Sequence, residues 1–198
     1  MGGTAPQGLL LWPGAGASRD HRTLVALEAA LAPFPVARCD HAYRLAGRKA
    51  PGRAEVDIAG VVDAVVTHAA AWDLDPNRLV VGGRSYGGRM CSLAVAEGLA
   101  VAGLVLLSYP LHPPGRPERL RTAHFGGITV PTLMVSGTAD PFGSPEEFAA
   151  EVGAVPGPLT QVWVGGAHDP RADAAVADAV AGWLVSLGAA VPAPGSGD

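Results

Sequence analysis

Six short, mostly apolar runs limit what this chain can become. They fall at residues 9–12, 36–39, 78–82, 101–108, 130–136 and 160–164. Each is followed by turn residues, and most are then followed by a segment with helical spacing. In 22–31, Leu24, Leu27, Ala30 and Leu31 recur on one side of a helix. Residues 171–187 do the same through Ala175, Val176, Ala179, Val180, Trp183, Leu184 and Leu187. The stretch 54–72 is rich in β-branched Val56, Ile58, Val61, Val62, Val65 and Val66. That conflicts mildly with helix propensity. Its length still favours a helix, because strands usually span about 4–8 residues. Further helices are expected at 86–99, 145–152 and, as a short one, 118–124; 41–53 and 109–117 read as loops. Strands without polar alternation, separated by helices, are buried on both faces. The expected fold is therefore α/β, a three-layer α/β/α sandwich around a mostly parallel sheet of about six strands.

The chain has 198 residues, 48% apolar and 16% charged, with a net charge of −4. That suits one domain with a sizeable core, set at residues 1–188, followed by a flexible tail at 189–198 rich in alanine, proline and glycine. No basic block suggests nucleic acid or an anionic membrane as a partner. The apolar run after the first seven residues is too short for a signal-peptide core, and no stretch reaches the roughly 18 apolar residues of a membrane helix. Cys39 and Cys91 are far apart and read as buried thiols. These features lead to an expected cytoplasmic location.

One strand end carries chemistry. Leu79-Val80-Val81-Gly82 runs into Gly83-Arg84-Ser85-Tyr86-Gly87, a G-x-S-x-G sequence leading into a helix. A serine hydroxyl is a poor nucleophile unless it is exposed, has a base beside it and has donors for the oxyanion it creates. A sharp strand-to-helix turn exposes it, and the flanking glycines keep the crowded turn free of side chains. Asp140 follows the fifth strand and His168 the sixth, both at strand ends, where open parallel sheets place their ligand sites. The order Ser85, Asp140, His168 suits a nucleophile, an orienting acid and a base. Oxyanion donors are expected from the backbone N–H of Tyr86 and that of Ala15, with Gly16 as the alternative to Ala15. His21, Tyr109 and Phe142 are pocket candidates, and Tyr109 and Phe142 fit the core equally well. Arg84 and Arg89 flank the turn. Structural roles are expected for both, Arg89 through a carboxylate, with contact to an anionic substrate group as the alternative for Arg84. His41, His68, His112 and His124 read as loop or helix-surface residues. No Cys, His and Asp set has metal-ligand spacing, and no cofactor is expected.

Together these stretches resemble the α/β-hydrolase superfamily. The closer resemblance is to its small, capless dienelactone-hydrolase-like group, carried by residues 13–16, 82–90, 108–115, 137–143 and 166–169. The resemblance implies a minimal version of the fold, lacking the first strands and a cap. It implies a serine hydrolase of small or accessible carboxylic esters or thioesters, with a small-molecule acyl substrate. Because the group includes scaffold-like members, the alternative is a catalytically silent binding module with protein partners. Two departures matter. Dienelactone hydrolases proper use a cysteine where Ser85 stands. Pro13 stands where the group often has histidine, so any hydrogen bond from that side chain to the oxyanion loop is missing.

Overall fold

The computed structural model describes residues 5–192. Its six strands form a single parallel sheet in the order β2-β1-β3-β4-β5-β6. The strands are β1 (Gly8–Trp12), β2 (Val36–Arg38), β3 (Leu79–Arg84), β4 (Gly103–Leu107), β5 (Thr132–Gly137) and β6 (Leu159–Val164). Every one of the five pairings is parallel. The helices are α1 (Arg22–Leu31), α2 (Ala42–Leu45), α3 (Ala54–Ala71), α4 (Tyr86–Ala96), α5 (Pro145–Glu151) and α6 (Asp173–Ser186). This is the three-layer sandwich expected from the apolar runs, with no cap and no additional strands among the described residues.

Period-two alternation sends each strand's residues into two cores. Leu9 and Leu11, Val80, Val105 and Leu107, and Leu133 and Val135 face α1 and α6, where Leu24, Leu27, Val180 and Leu184 are buried. Leu10 and Trp12, Leu79 and Val81, Leu104 and Leu106, and Met134 face α3 and α4, where Val61, Val65, Met90 and Cys91 are buried. Tertiary packing thus overrides the weak helix propensity of the β-branched α3. Its Val62 and Val66 stay exposed while Ile58, Val61 and Val65 fill the core.

Two expectations fail. Residues 118–124 form turns rather than a helix, and the one helical turn nearby is a short 3₁₀ segment at Phe125–Gly127. The Arg121 backbone groups are used elsewhere: its N–H donates to the Leu111 carbonyl at 2.8 Å and its carbonyl accepts from Tyr109 Oη at 2.7 Å. The reverse occurs in 41–53, where Ala42–Leu45 makes a helical turn around the buried Tyr43. At the end of the chain Ala189 is buried and its N–H donates to Leu184. The expected tail at 189–198 lies largely outside the described residues.

The sheet reverses its winding direction between β1 and β3. Such a switch point opens a crevice at the carboxyl ends of the strands. The loop after β1 and the turn after β3 meet there. A Cβ on Gly83 would stand 2.3 Å from the Trp12 carbonyl oxygen. A Cβ on Gly87 would stand 2.5 Å from that atom and 2.6 Å from the Pro13 carbonyl oxygen. Both obstacles are backbone and cannot rotate away. Gly87→Ala is expected to cost about 3 kcal/mol, the upper end of overpacking, and to lower Tm by roughly 6–12 °C. A thermal melt matching the parent would contradict that close approach.

Candidate active site

Ser85 sits between β3 and α4 with φ 51° and ψ −112°, a left-handed strained conformation for a residue with a Cβ. The surroundings hold it there. Its N–H donates to the Leu107 carbonyl at 2.8 Å, and its carbonyl accepts from Arg89 N–H at 3.0 Å. The strand-turn-helix reading of the G-x-S-x-G sequence is therefore the observed backbone.

The two partners arrive on loops after β5 and β6. His168 Nε2 lies 2.8 Å from Ser85 Oγ. On its other side, His168 Nδ1 lies 2.8 Å from Asp140 Oδ2 and 3.0 Å from Oδ1. A carboxylate only accepts, so Nδ1 carries the proton and Nε2 is left to accept from the serine. The Asp140 carboxylate is fully buried, and its Oδ1 also accepts from the Phe142 N–H at 2.9 Å. Phe142 stacks on the imidazole, with ring centroids 4.0 Å apart. The histidine loop is pinned twice. Ala139 N–H donates to the Gly166 carbonyl at 2.9 Å, and Arg84 Nη2 donates to the His168 carbonyl at 2.7 Å. Arg84 also faces Asp169 at 3.3 Å. The structural role expected of Arg84 is thus visible, and burial lowers its pKa despite that acid.

The loop after β1 is ordered in a way the sequence did not disclose. Pro13 has no side-chain donor, yet its carbonyl accepts from His41 Nε2 at 2.8 Å. His41 is not a surface residue but buried, against Tyr43 and Tyr86. Because a carbonyl only accepts, Nε2 holds a proton, and burial lowers the pKa of the ring. Tyr43 Oη accepts from the Gly16 N–H at 3.3 Å. Beneath them lies the buried Asp57 of α3, whose Oδ2 accepts from Tyr86 Oη at 2.8 Å. The loop at 13–16 is therefore tied to α2 and α3 by residues that carry no motif. Gly16 has its N–H engaged, whereas Ala15 N–H has no acceptor among the described residues. Tyr86 is the first residue of α4, where an N–H has no intrahelical acceptor.

A cleft of about 420 Å³ opens over this arrangement, lined by Gly14, Ala15, Ser85, Tyr86, Pro110, Phe142 and His168, together with Arg84, Arg89 and Arg121. Phe142 lines the cleft. Tyr109 does not: it is fully buried beside Phe125, and its hydroxyl donates to the Arg121 carbonyl at 2.7 Å. His21 does not line it either. Its Nδ1 caps α1 by accepting from the Thr23 N–H, and its Nε2 lies 3.6 Å from Asp169. The carboxylate partner expected for Arg89 is absent among the described residues.

Two more histidines are less exposed than expected. His112 is buried, 3.2 Å from Glu147. His124 packs edge-on against Phe125, with its Nε2 2.8 Å from Ser92 Oγ. Burial, aided by the nearby Arg89, pushes its pKa from 6.5 down to about 4. An unfolded chain would protonate this ring near its ordinary pKa while the fold resists. The resulting stability is present above about pH 6.5 and is lost as the pH falls toward about 4. In His124→Gln, the drop in Tm between about pH 7 and about pH 4.5 is expected to be smaller than in the parent. Equal drops would remove His124 as a source of acid sensitivity.

A protein-family profile described as an alpha/beta hydrolase domain matches residues 5–176. With the strained serine turn and its two loop partners in place, that match means the chain belongs to the α/β-hydrolase domain family. Solved structures agree on the fold. Est1E from Butyrivibrio proteoclasticus superposes with a TM-score of 0.72 at 18% identity, covering 92% of this chain and 88% of that one. A dienelactone hydrolase from Anabaena variabilis gives 0.70 at 19% identity, covering 92% and 87%. The type II thioesterase BorB of the borrelidin biosynthetic cluster gives 0.59 at 20% identity, covering 92% of each.

Proposed function

We propose that this protein is a serine hydrolase that cleaves an accessible carboxylic ester or thioester through an acyl-enzyme. The observation that carries the reading is the continuous chain from Ser85 Oγ to His168 Nε2 and from His168 Nδ1 to the buried Asp140, each link 2.8 Å. In this mechanism Ser85 Oγ attacks the acyl carbon as its proton passes to His168 Nε2. Asp140 holds the ring in the required tautomer and stabilises the imidazolium. The oxyanion is met by the N–H groups of Tyr86 and Ala15. Collapse breaks the bond from the acyl carbon to the leaving oxygen or sulfur, which takes the proton from His168. Water then attacks the acyl-Ser85 ester with His168 again as base, releasing the acid and restoring Ser85.

The open cleft, with no cap above it among the described residues, supports an accessible small acyl substrate. The relatives include proteins described as a carboxylesterase and as a thioesterase, which supports ester or thioester chemistry without choosing between them. Cys39 and Cys91 are free and buried, in keeping with a reducing compartment such as the cytoplasm. The test is labelling with a fluorophosphonate, which reacts with an activated serine. Labelling of the folded parent and none of Ser85→Ala is the expected result. An unlabelled folded parent would leave the silent binding module as the better reading.

A further inference from the structure

Three arginines line the cleft, and they are not equivalent. Arg84 is satisfied within the protein, by the His168 carbonyl at 2.7 Å and by Asp169 at 3.3 Å. Arg89 and Arg121 make no ion pair among the described residues. Arg89 Nε is buried and has no hydrogen-bond partner. Glu151, which accepts from the Oγ1 of Thr122, the residue next to Arg121, at 2.9 Å, pairs with neither arginine. Guanidinium groups stay charged in proteins, so this end of the cleft carries two positive charges that the protein leaves uncompensated. They disfavour each other: burial and the neighbouring Arg89 make Arg121 hold its proton less tightly than usual. In a chain of net charge −4, carboxylates are plentiful, yet among the described residues none pairs with Arg89 or Arg121.

The backbone under both arginines is fixed. Arg89 lies one helical turn beyond Ser85 on α4, on the same face of the helix. Arg121 comes from the loop after β4, held by its own N–H to Leu111 and by Tyr109 Oη on its carbonyl. Tyr109, for which pocket wall and core were equal expectations, lies in the core and is the post that presents Arg121. Paired guanidinium groups match the oxygens of a carboxylate or phosphate.

We propose that Arg89 and Arg121 form an anion-binding subsite beside Ser85, so that the ester or thioester hydrolysed carries a carboxylate or phosphate group near its scissile bond. This rests on the hydrolase reading for its chemistry but not for the binding itself. The anion supplies the counter-charge that both guanidinium groups lack, relieves the repulsion between the two cations and orients the acyl carbon over Ser85. A charged substrate group would also be steered toward the cleft by their field.

The experiment compares para-nitrophenyl hemiglutarate with the methyl-capped neutral diester and with a phosphate-bearing ester of matched length. The parent is expected to favour an anionic ester by about 10–100-fold in kcat/KM, as charge-assisted hydrogen bonds would give. The carboxylate and phosphate arms show which anion is preferred. Arg89→Gln and Arg121→Gln are each expected to reduce the anionic-to-neutral ratio by about tenfold, chiefly through KM, and Arg89→Lys to keep more of it than Arg89→Gln. Thermal melts check that each variant is folded, and Arg89→Lys with Arg121→Gln carries the comparison if Arg89→Gln is not. A parent ratio at or below one, or a ratio unmoved by the substitutions, overturns the subsite. Calorimetric titration of Ser85→Ala protein with glutarate and with inorganic phosphate needs no catalysis. If Ser85 proves unreactive, binding that weakens on adding Arg89→Gln or Arg121→Gln upholds the subsite while the hydrolase reading falls. Absence of binding to the Ser85→Ala protein then overturns the subsite as well.

Discussion

Ser85→Ala is expected to lower kcat for an ester substrate by about 10⁶-fold while leaving the fold intact. In the proposed mechanism the alanine lacks the Oγ that forms the acyl-enzyme, and the histidine and aspartate do not take its place. The two groups act on the serine as a unit, so their loss would add little once the serine is gone. Removing Oγ should barely affect stability, because Ser85 is held in its strained conformation by backbone bonds to Leu107 and Arg89 rather than by its side chain. The measurement is steady-state kinetics on an aryl ester, with a thermal melt alongside. Turnover that persists within about tenfold of the parent, in protein free of contaminating esterase, would refute covalent catalysis through this residue.

Asp140→Asn is expected to lower kcat by about 10⁴-fold with little change in KM. The reason lies in hydrogen-bond direction. Asp140 Oδ1 accepts from the Phe142 N–H at 2.9 Å, which fixes the oxygen of an asparagine amide on that side. The amide NH₂ would then face His168 Nδ1, where Oδ2 now lies at 2.8 Å. Facing a donor at its shorter contact, Nδ1 is favoured as an acceptor over its longer, 3.0 Å contact with the retained oxygen. The ring then carries its proton on Nε2, opposite Ser85 Oγ, and has no lone pair there to accept the serine proton. Volume and packing are nearly unchanged, so the effect separates tautomer control from structural damage. Fluorophosphonate labelling should slow in parallel with kcat. A variant that labels and turns over at the parent rate would show that Asp140 has no part in orienting His168.

The sheet and the serine turn were legible because both depend on local, repeated signals. Continuous apolar runs such as Leu9-Leu10-Leu11-Trp12 mark strands covered on both faces, and Gly83 and Gly87 mark a turn with no space for side chains. Asp140 and His168 stood out because they follow strands in an order that the topology brings to one edge. The misreadings occurred where nothing periodic guides the eye. The 41–53 stretch hides His41 and Tyr43, whose part in holding the 13–16 loop depends on contacts across 27 and 28 positions of sequence. Residues 118–124 lacked any signal that the backbone groups of Arg121 would bind Leu111 and Tyr109 instead of closing a helical turn.

From its amino acids alone this protein declares a parallel α/β sandwich and a serine, an acid and a base at the ends of its third, fifth and sixth strands. Hydrophobic periodicity and turn chemistry are encoded within a few residues, so they survive without knowledge of distant neighbours. Tertiary structure alone decided how a loop bearing Pro13 is held, that Tyr109 anchors rather than lines the cleft, and that Arg89 meets no carboxylate. Those outcomes depend on which donors and acceptors from separate elements meet when the sheet closes. Such pairing is a property of the packed fold, because each polar group takes whichever partner burial leaves within reach.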